Sequence, residues 1–340
     1  MRSLPELTLC SSAQSHDLYD RLIQYISHVP NTIAPERWRD GEDWAGIGLA
    51  ITDGPSEFNA FATLTERRIS FTTGLIGGLW RISSALYILR EVHELKSASQ
   101  DLTQQRLVFD FSDVNTRLAI EELTGAIAAI HSGRSNPSAV YPKLSNEQEL
   151  GTRQLTLCAL GYIACHELGH IKGQHQAIRH DAPDPAKEIS RLQESEADTF
   201  ALDYVLGAVD SSSNKGIQEV AFRSWGAAVA TLAFSLKEFE RNFTAEHIGG
   251  AHIEHFSRRS HPVAYTRLDR LLKHSQVAQV PLVRNTMYSS VAVPLYIYLV
   301  HKDAARSRSD ETVTDIESLY EDMMNSLHDH LGSVEASASL

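Results

Sequence analysis

Cysteine is scarce in this 340-residue sequence: Cys10, Cys158 and Cys165 form an odd, sparse set that suggests no disulfide framework. A reducing, cytoplasmic setting is the expectation. Long apolar runs are missing too. The longest, Trp225 to Leu236 and Val291 to Val300, fall well short of the roughly 20 residues a helix needs to cross a bilayer. Both are expected to be buried helices, with no transmembrane segment. Met1 to Ser12 has neither the apolar centre nor the cleavage pattern of a signal peptide. Positive charge is in deficit, 31 Lys and Arg against 43 Asp and Glu, and the net charge of −12 argues against nucleic acid or an anionic membrane as the main partner. No internal repeat and no nucleotide-binding glycine pattern is found, since Gly74-x-x-Gly77-Gly78 is too degenerate to count.

What is present is ordinary globular composition, 42% hydrophobic and 22% charged, at a length ample for one buried core. One stretch stands apart from it. Cys165-His166-Glu167-Leu168-Gly169-His170-Ile171 sets a His-Glu-x-x-His pattern in an apolar run. On a helix, residues four apart lie within about 40° of each other, so His166 and His170 form a two-pronged metal clamp on one face. Glu167 is turned about 100° from His166, able to reach a water on the metal without being a ligand. The chemistry this suggests is a zinc-activated water: the metal lowers the water's pKa to about 7, and the glutamate takes its proton as it attacks a carbonyl.

With 16 His in the chain, the pentamer alone would arise by chance in roughly one such sequence in twenty. Its surroundings add weight. Leu155, Leu157, Leu160, Tyr162, Ile163 and Ala164 read as a buried helix, where unpaired imidazoles are costly and a metal is one remedy. Cys165 is a weaker ligand candidate, about 100° from His166 and less well aimed than His170. Cys158 and Cys165 are most simply small core residues.

Two His require a third ligand and an open position for water. A second helix is expected from Asp184 (N-cap) and Pro185 through Ile189, Leu192, Phe200 and Leu206 to Gly207. It carries Glu194-Ser195-Glu196-Ala197-Asp198. Glu194 and Asp198 share a face and Glu196 points the other way. Glu194 is therefore the candidate ligand, and Asp198 the acceptor for the ring N–H of a zinc-bound His. An acidic face turned to solvent is the usual fate of such residues, and the preceding His pair is what favours the metal.

Together these segments resemble the gluzincin metallopeptidases of the HtpX and CAAX-prenyl-endopeptidase type, in which His-Glu-x-x-His is followed by Glu-x-x-Ala-Asp on a second helix. Asn59-Ala60-Phe61-Ala62 followed by Arg68-Ile69-Ser70-Phe71-Thr72-Thr73-Gly74-Leu75 is similar to that family's Asn-Ala-Phe-Ala strand and its Thr-Thr-Gly-Leu continuation. Ser260-His261-Pro262, with Arg267 and Leu268, is similar to its His-Pro segment. The resemblance implies an α+β, predominantly helical fold with a zincin-like core and a small sheet whose edge strand flanks the active-site helix. It implies that Asn59, Ala60, Phe61 and Ala62 bind an extended peptide by main-chain hydrogen bonds. It also implies that His261 hydrogen-bonds the tetrahedral oxyanion, with Arg267 adding positive charge or orienting it. Familiar members carry transmembrane helices around the core, and this chain departs from them there.

In chain order, Asp17 to Val29 reads as a helix, and Ala45 to Ile51, Glu57 to Leu64 and Arg68 to Thr72 as strands. Gly74 to Leu95 reads as a long helix. Residues 96–149 look like an insertion relative to the family, with a strand at Leu107 to Phe111 and a helix at Asn115 to His131. Ile217 to Phe243 reads as a helix, followed by a loop bearing His247, His252, His255 and His261, whose spacing fits no closed zinc pattern. A C-terminal helical extension is expected over 276–340, with an amphipathic helix at Asp310 to Leu331.

The expectation is a single metallopeptidase domain over 1–340 with one Zn2+ per chain on His166, His170 and Glu194, and Glu167 as base. The substrate is a peptide or protein bound as a strand. A second reading is a triggered, host-protein-specific protease of the phage-exclusion Lit type. A third, from another class, is a non-catalytic zinc-stabilised scaffold or sensor.

Overall fold

The computed structural model describes residues 20–21, 44, 46–52, 58–98, 107–108, 113–132, 144–175, 183–207, 209, 212–243, 264–274, 277 and 312–313. A three-stranded sheet is formed by β1 (Gly48–Thr52), β2 (Ala60–Thr63) and β3 (Arg68–Thr72). Its order is β1-β3-β2, with β1 parallel and β2 antiparallel to β3. Thr65-Glu66-Arg67 turns the chain from β2 into β3, with Arg67 at a positive φ of 46°. Ile69 and Phe71 are fully buried, so β3 is the sheet's core strand.

β2 is an edge strand among the described residues. Asn59 O accepts from Thr72 N at 3.0 Å, and in an antiparallel ladder the residues facing the partner alternate with those facing away. Ala60 and Ala62 therefore turn their N–H and C=O groups to the open edge.

Helices build the rest. α1 (Thr73–Ala98) continues directly from β3, and Thr72 Oγ1 caps it by accepting from Leu75 N. α2 (Val114–Ser132) packs along α1 and puts Ala119, Leu123, Ala126, Ile127 and Ile130 into the common core. The central part of the stretch 96–149 is thus core structure. β4 (Leu107–Val108) pairs antiparallel with β5 (Thr312–Val313), so where the periodicity of Asp310 to Leu331 predicts helix, residues 312 and 313 are strand. A pairing partner about 200 residues away overrides the helical pattern there. The rest of that segment, Val291 to Val300 and the His-rich loop lie outside the described residues.

α3 (Asn146–Lys172) is the central helix, contacting α1, α4 (Asp184–Leu206), α5 (Asn214–Phe243), β2 and β3. It is apolar nearly all round, as a helix enclosed on every side must be. A capping box starts it: Ser145 Oγ accepts from Gln148 N, and Gln148 Oε1 accepts from Ser145 N. α4 begins one residue earlier than predicted, with Pro183 as the N-cap residue and no side-chain cap, and Gly207 closes it. α6 (Ala264–Lys273) lies on α4 and α5. Among the described residues no helix is long and apolar enough to cross a membrane.

α3 and α5 approach each other at Gly226, where a Cβ would lie 2.3 Å from Cys158 Cβ and 2.7 Å from Cys158 C. Gly226→Ala is therefore expected to destabilise the fold by about 1–3 kcal/mol, despite the helix-favouring change, because one contact is backbone and cannot swing aside. Urea unfolding checks this, and a stabilised Gly226→Ala would show that the two helices part freely.

Candidate metal centre

His166 and His170 stand one turn apart near the C-terminal end of α3, with their Nε2 atoms 3.1 Å from each other. α4 crosses beside them and presents Glu194, with Oε2 3.4 Å from His166 Nε2 and Oε1 3.4 Å from His170 Nε2. The crossing is close because Gly169 lacks a side chain: a Cβ there would lie 2.9 Å from Ala197 Cα. The glycine inside the His-Glu-x-x-His pattern and the alanine between Glu194 and Asp198 thus set the distance between the two helices.

These three residues form a donor cluster whose ligand atoms lie within 4.8 Å of one another. Donors about 2.0–2.1 Å from a tetrahedral metal are separated by about 3.3 Å, so the observed separations fit a common ion without rebuilding the helices. Two imidazoles and one carboxylate leave a fourth position for water or substrate. Glu167, next to His166, is outside the cluster and half-buried. Burial pushes its carboxyl above the usual carboxylate range, while His166 and His170 pull it back, which keeps it suited to taking up a proton.

Asp198, 1% exposed, lies behind His166. Its Oδ1 is 2.8 Å from His166 Nδ1 and accepts from Tyr162 Oη at 3.4 Å. Its Oδ2 faces Arg267 Nε and Arg270 Nη1, each at 3.2 Å. Burial alone would raise the Asp198 pKa, but Arg267 and His166 hold it below the ordinary value. Burial and Asp198 push the Tyr162 phenol well above its usual pKa, so it stays a donor. Arg267 also reaches Glu194 Oε2 with Nη2 at 2.5 Å. Arg267 and Arg270 of α6, with His274 just beyond its end, thus form a ladder against Glu194, Asp198 and Asp203 of α4, the last pair 3.4 Å apart.

His170 is oriented differently. Its Nδ1 lies 3.0 Å from His175 Nδ1, and His175 Nε2 lies 3.1 Å from Glu196 Oε2. Burial and the neighbouring His170 hold the His175 pKa down, favouring neutral imidazole.

Burial would lower the His166 pKa, yet the Asp198 charge and hydrogen bonds to Asp198 and Glu194 override it and raise it to about 10. Metals take neutral imidazole, so uptake must expel this proton. Metal affinity is expected to rise about tenfold per unit between about pH 7 and pH 9. Titration in a metal buffer checks this, and a pH-independent affinity would contradict it. In the metal-free fold the raised value has the opposite sign: its stabilisation is complete below about pH 6.5 and is lost as pH rises through about 10.

The structure thus brings His166, His170, Glu194, Glu167, Asp198 and Arg267 to one place. Asn59 to Ala62 fall at and in β2, which packs against α3. His261 lies outside the described residues. Sequence reasoning misses Tyr162 and Arg270, although each sits at helical spacing from a residue it singles out, His166 and Arg267 respectively. It also misses His175, which stands two residues after Gly173 and reads as loop.

A helix-borne His pair and a crossing-helix carboxylate, with a glutamate adjacent, make up a cluster that could hold a metal ion. The chain belongs to the Peptidase U49 family, whose model matches residues 69–285, more than half its length and all of the helices described above. It is also similar to the Cell death peptidase of Escherichia coli (strain K12), 23% identical over 296 residues that cover 82% of this chain and 88% of that protein. No solved structure matches it significantly.

Proposed function

We propose that the chain is a zinc-dependent endopeptidase. The observation that carries this reading is the three-donor cluster of His166, His170 and Glu194 with Glu167 beside it, in a chain whose family is a peptidase family. Zinc held there would supply Lewis-acid polarisation of a carbonyl and a water acidic enough to be deprotonated near neutrality. Glu167 takes the proton from the attacking water and returns it to the leaving amine, a task that the upward shift of its carboxyl pKa favours. The substrate lies extended along β2, where Ala60 and Ala62 offer main-chain groups and Asn59 and Phe61 flank them. His261 donates to the oxyanion, and Arg267 places positive charge against Glu194. The order of motifs supports kinship with the HtpX-type core, and the scarcity of cysteine supports a cytoplasmic setting.

The test is cleavage of an unfolded protein such as reduced casein. Cleavage abolished by a chelator and restored by zinc is expected, and cleavage indifferent to chelation would refute the proposal. The similarity to a protein called Cell death peptidase favours a second reading, a triggered protease acting on one host protein. Full zinc occupancy with no cleavage of casein, and cleavage appearing when a cell extract supplies substrate and trigger, would select it.

A further inference from the structure

α3 ends in an unusual turn. Gln174 N donates to Ile171 O at 3.3 Å and His175 N donates to His170 O at 3.0 Å, the paired 5→2 and 6→1 bonds of a Schellman closure. The left-handed position of that motif is normally glycine, yet here it is Gln174, at a φ of 51°. The glycine stands one residue earlier. Gly173 has an ordinary φ of −73°, but a Cβ on it would lie 2.2 Å from His175 Nε2. The turn therefore lays the His175 ring back over Gly173 and against His170, the position where such closures commonly place an apolar contact. The two rings meet edge to face, with centroids 5.1 Å apart.

We propose that His175 and Glu196 are positioning residues that hold His170 with its Nε2 lone pair directed at the metal. This rests on the reading of His166, His170 and Glu194 as ligands. The polarity of the chain follows from its outer end. An ionised Glu196 only accepts, so His175 carries its proton on Nε2 and donates it there, at 3.1 Å. His175 Nδ1 is then an acceptor, and at 3.0 Å it takes the Nδ1–H of His170. His170 is left with its proton on Nδ1 and its lone pair on Nε2, the atom that faces His166 and Glu194. His166 receives the same orientation directly from the buried Asp198. The two ligands are thus set by different means, one by a buried carboxylate and the other through an imidazole to a carboxylate whose side chain is 71% exposed. His175 is not a fourth donor, because it meets His170 on the ring nitrogen opposite the cluster.

The experiment measures zinc affinity by competition with a chromophoric chelator, and the visible spectrum of the cobalt-substituted protein, for the full chain and its variants. His175→Ala and Glu196→Ala are each expected to weaken zinc binding about 10- to 100-fold while keeping one site per chain, and to alter the cobalt band. Glu196→Gln keeps an acceptor oxygen and is expected to stay close to the parent. Gly173→Ala, which displaces the His175 ring without touching its chemistry, is expected to follow His175→Ala. Affinity within twofold of the parent in both His175→Ala and Glu196→Ala would overturn the inference while leaving the metal site intact. Loss of zinc from His175→Ala as complete as from His170→Ala would also overturn it, making His175 a ligand. A parent that binds no zinc would remove the ligand reading itself and this inference with it. Glu196 is a surface residue, so its variant remains decisive if His175→Ala fails to fold.

Discussion

Glu167→Gln is expected to lower peptide hydrolysis about 10²- to 10⁴-fold while leaving bound metal unchanged. The amide is nearly isosteric with the carboxylate and lies outside the donor cluster, so neither the His pair nor Glu194 should move. What it loses is the ability to take a proton from water and hand it to the leaving amine, and positioned acid–base groups are typically worth that range. Burial raises the Glu167 carboxyl pKa and so opposes its ionisation, the kind of perturbation that clusters at functional sites. Turnover within a factor of three of the parent, with metal content equal, would sink the assignment of Glu167 as base. A fall in turnover accompanied by metal loss would mean that Glu167 acts as a ligand.

Asp198→Ala is expected to be the most destabilising single truncation at the site, by about 3–5 kcal/mol in urea unfolding of the metal-free protein. One carboxylate there faces His166, Tyr162, Arg267 and Arg270, and removing it leaves the half-buried Arg270 guanidinium and the buried His166 imidazole without that partner. Arg267 would keep Glu194 as a partner, whereas Arg270 and His166 would lose a principal one. Because the folded-state pKa of Asp198 lies below its unfolded value, its contribution is present above about pH 4 and is lost as pH falls through the depressed folded value. Acid sensitivity should therefore be blunted in Asp198→Ala. A loss under 1 kcal/mol, with an unchanged acid transition, would mean that the network breaks even against solvation.

The helix-borne part of the site was legible because helical spacing is a local rule. Four-residue spacing places His166 with His170 and Glu194 with Asp198, and the same rule sets Glu196 apart. It says nothing of what Glu196 meets, and its partner His175 arrives through a turn in which the left-handed residue is a glutamine. No composition signal marks such a turn, since glutamine ordinarily avoids that conformation. The His-Pro motif singles out Arg267, but its position against Glu194 depends on how α6 docks on α4. That contact spans 73 residues of sequence and has no periodic signature. The stretch 96–149 illustrates the converse. It carries none of the motifs, yet α2 within it packs along α1 and adds to the common core. Thr312 is strand where helix is expected for a related reason, since its pairing with Val108 is a long-range event that overrides local helical periodicity.

The central claim is that His166, His170 and Glu194 hold one metal ion, and it is tested most directly by the metal content of the purified chain beside Glu194→Gln and Glu196→Gln made identically. The account predicts one zinc per chain in the parent, its loss in Glu194→Gln and its retention in Glu196→Gln. A parent that takes up no metal even after reconstitution, or a Glu194→Gln variant that keeps its full complement, would contradict it.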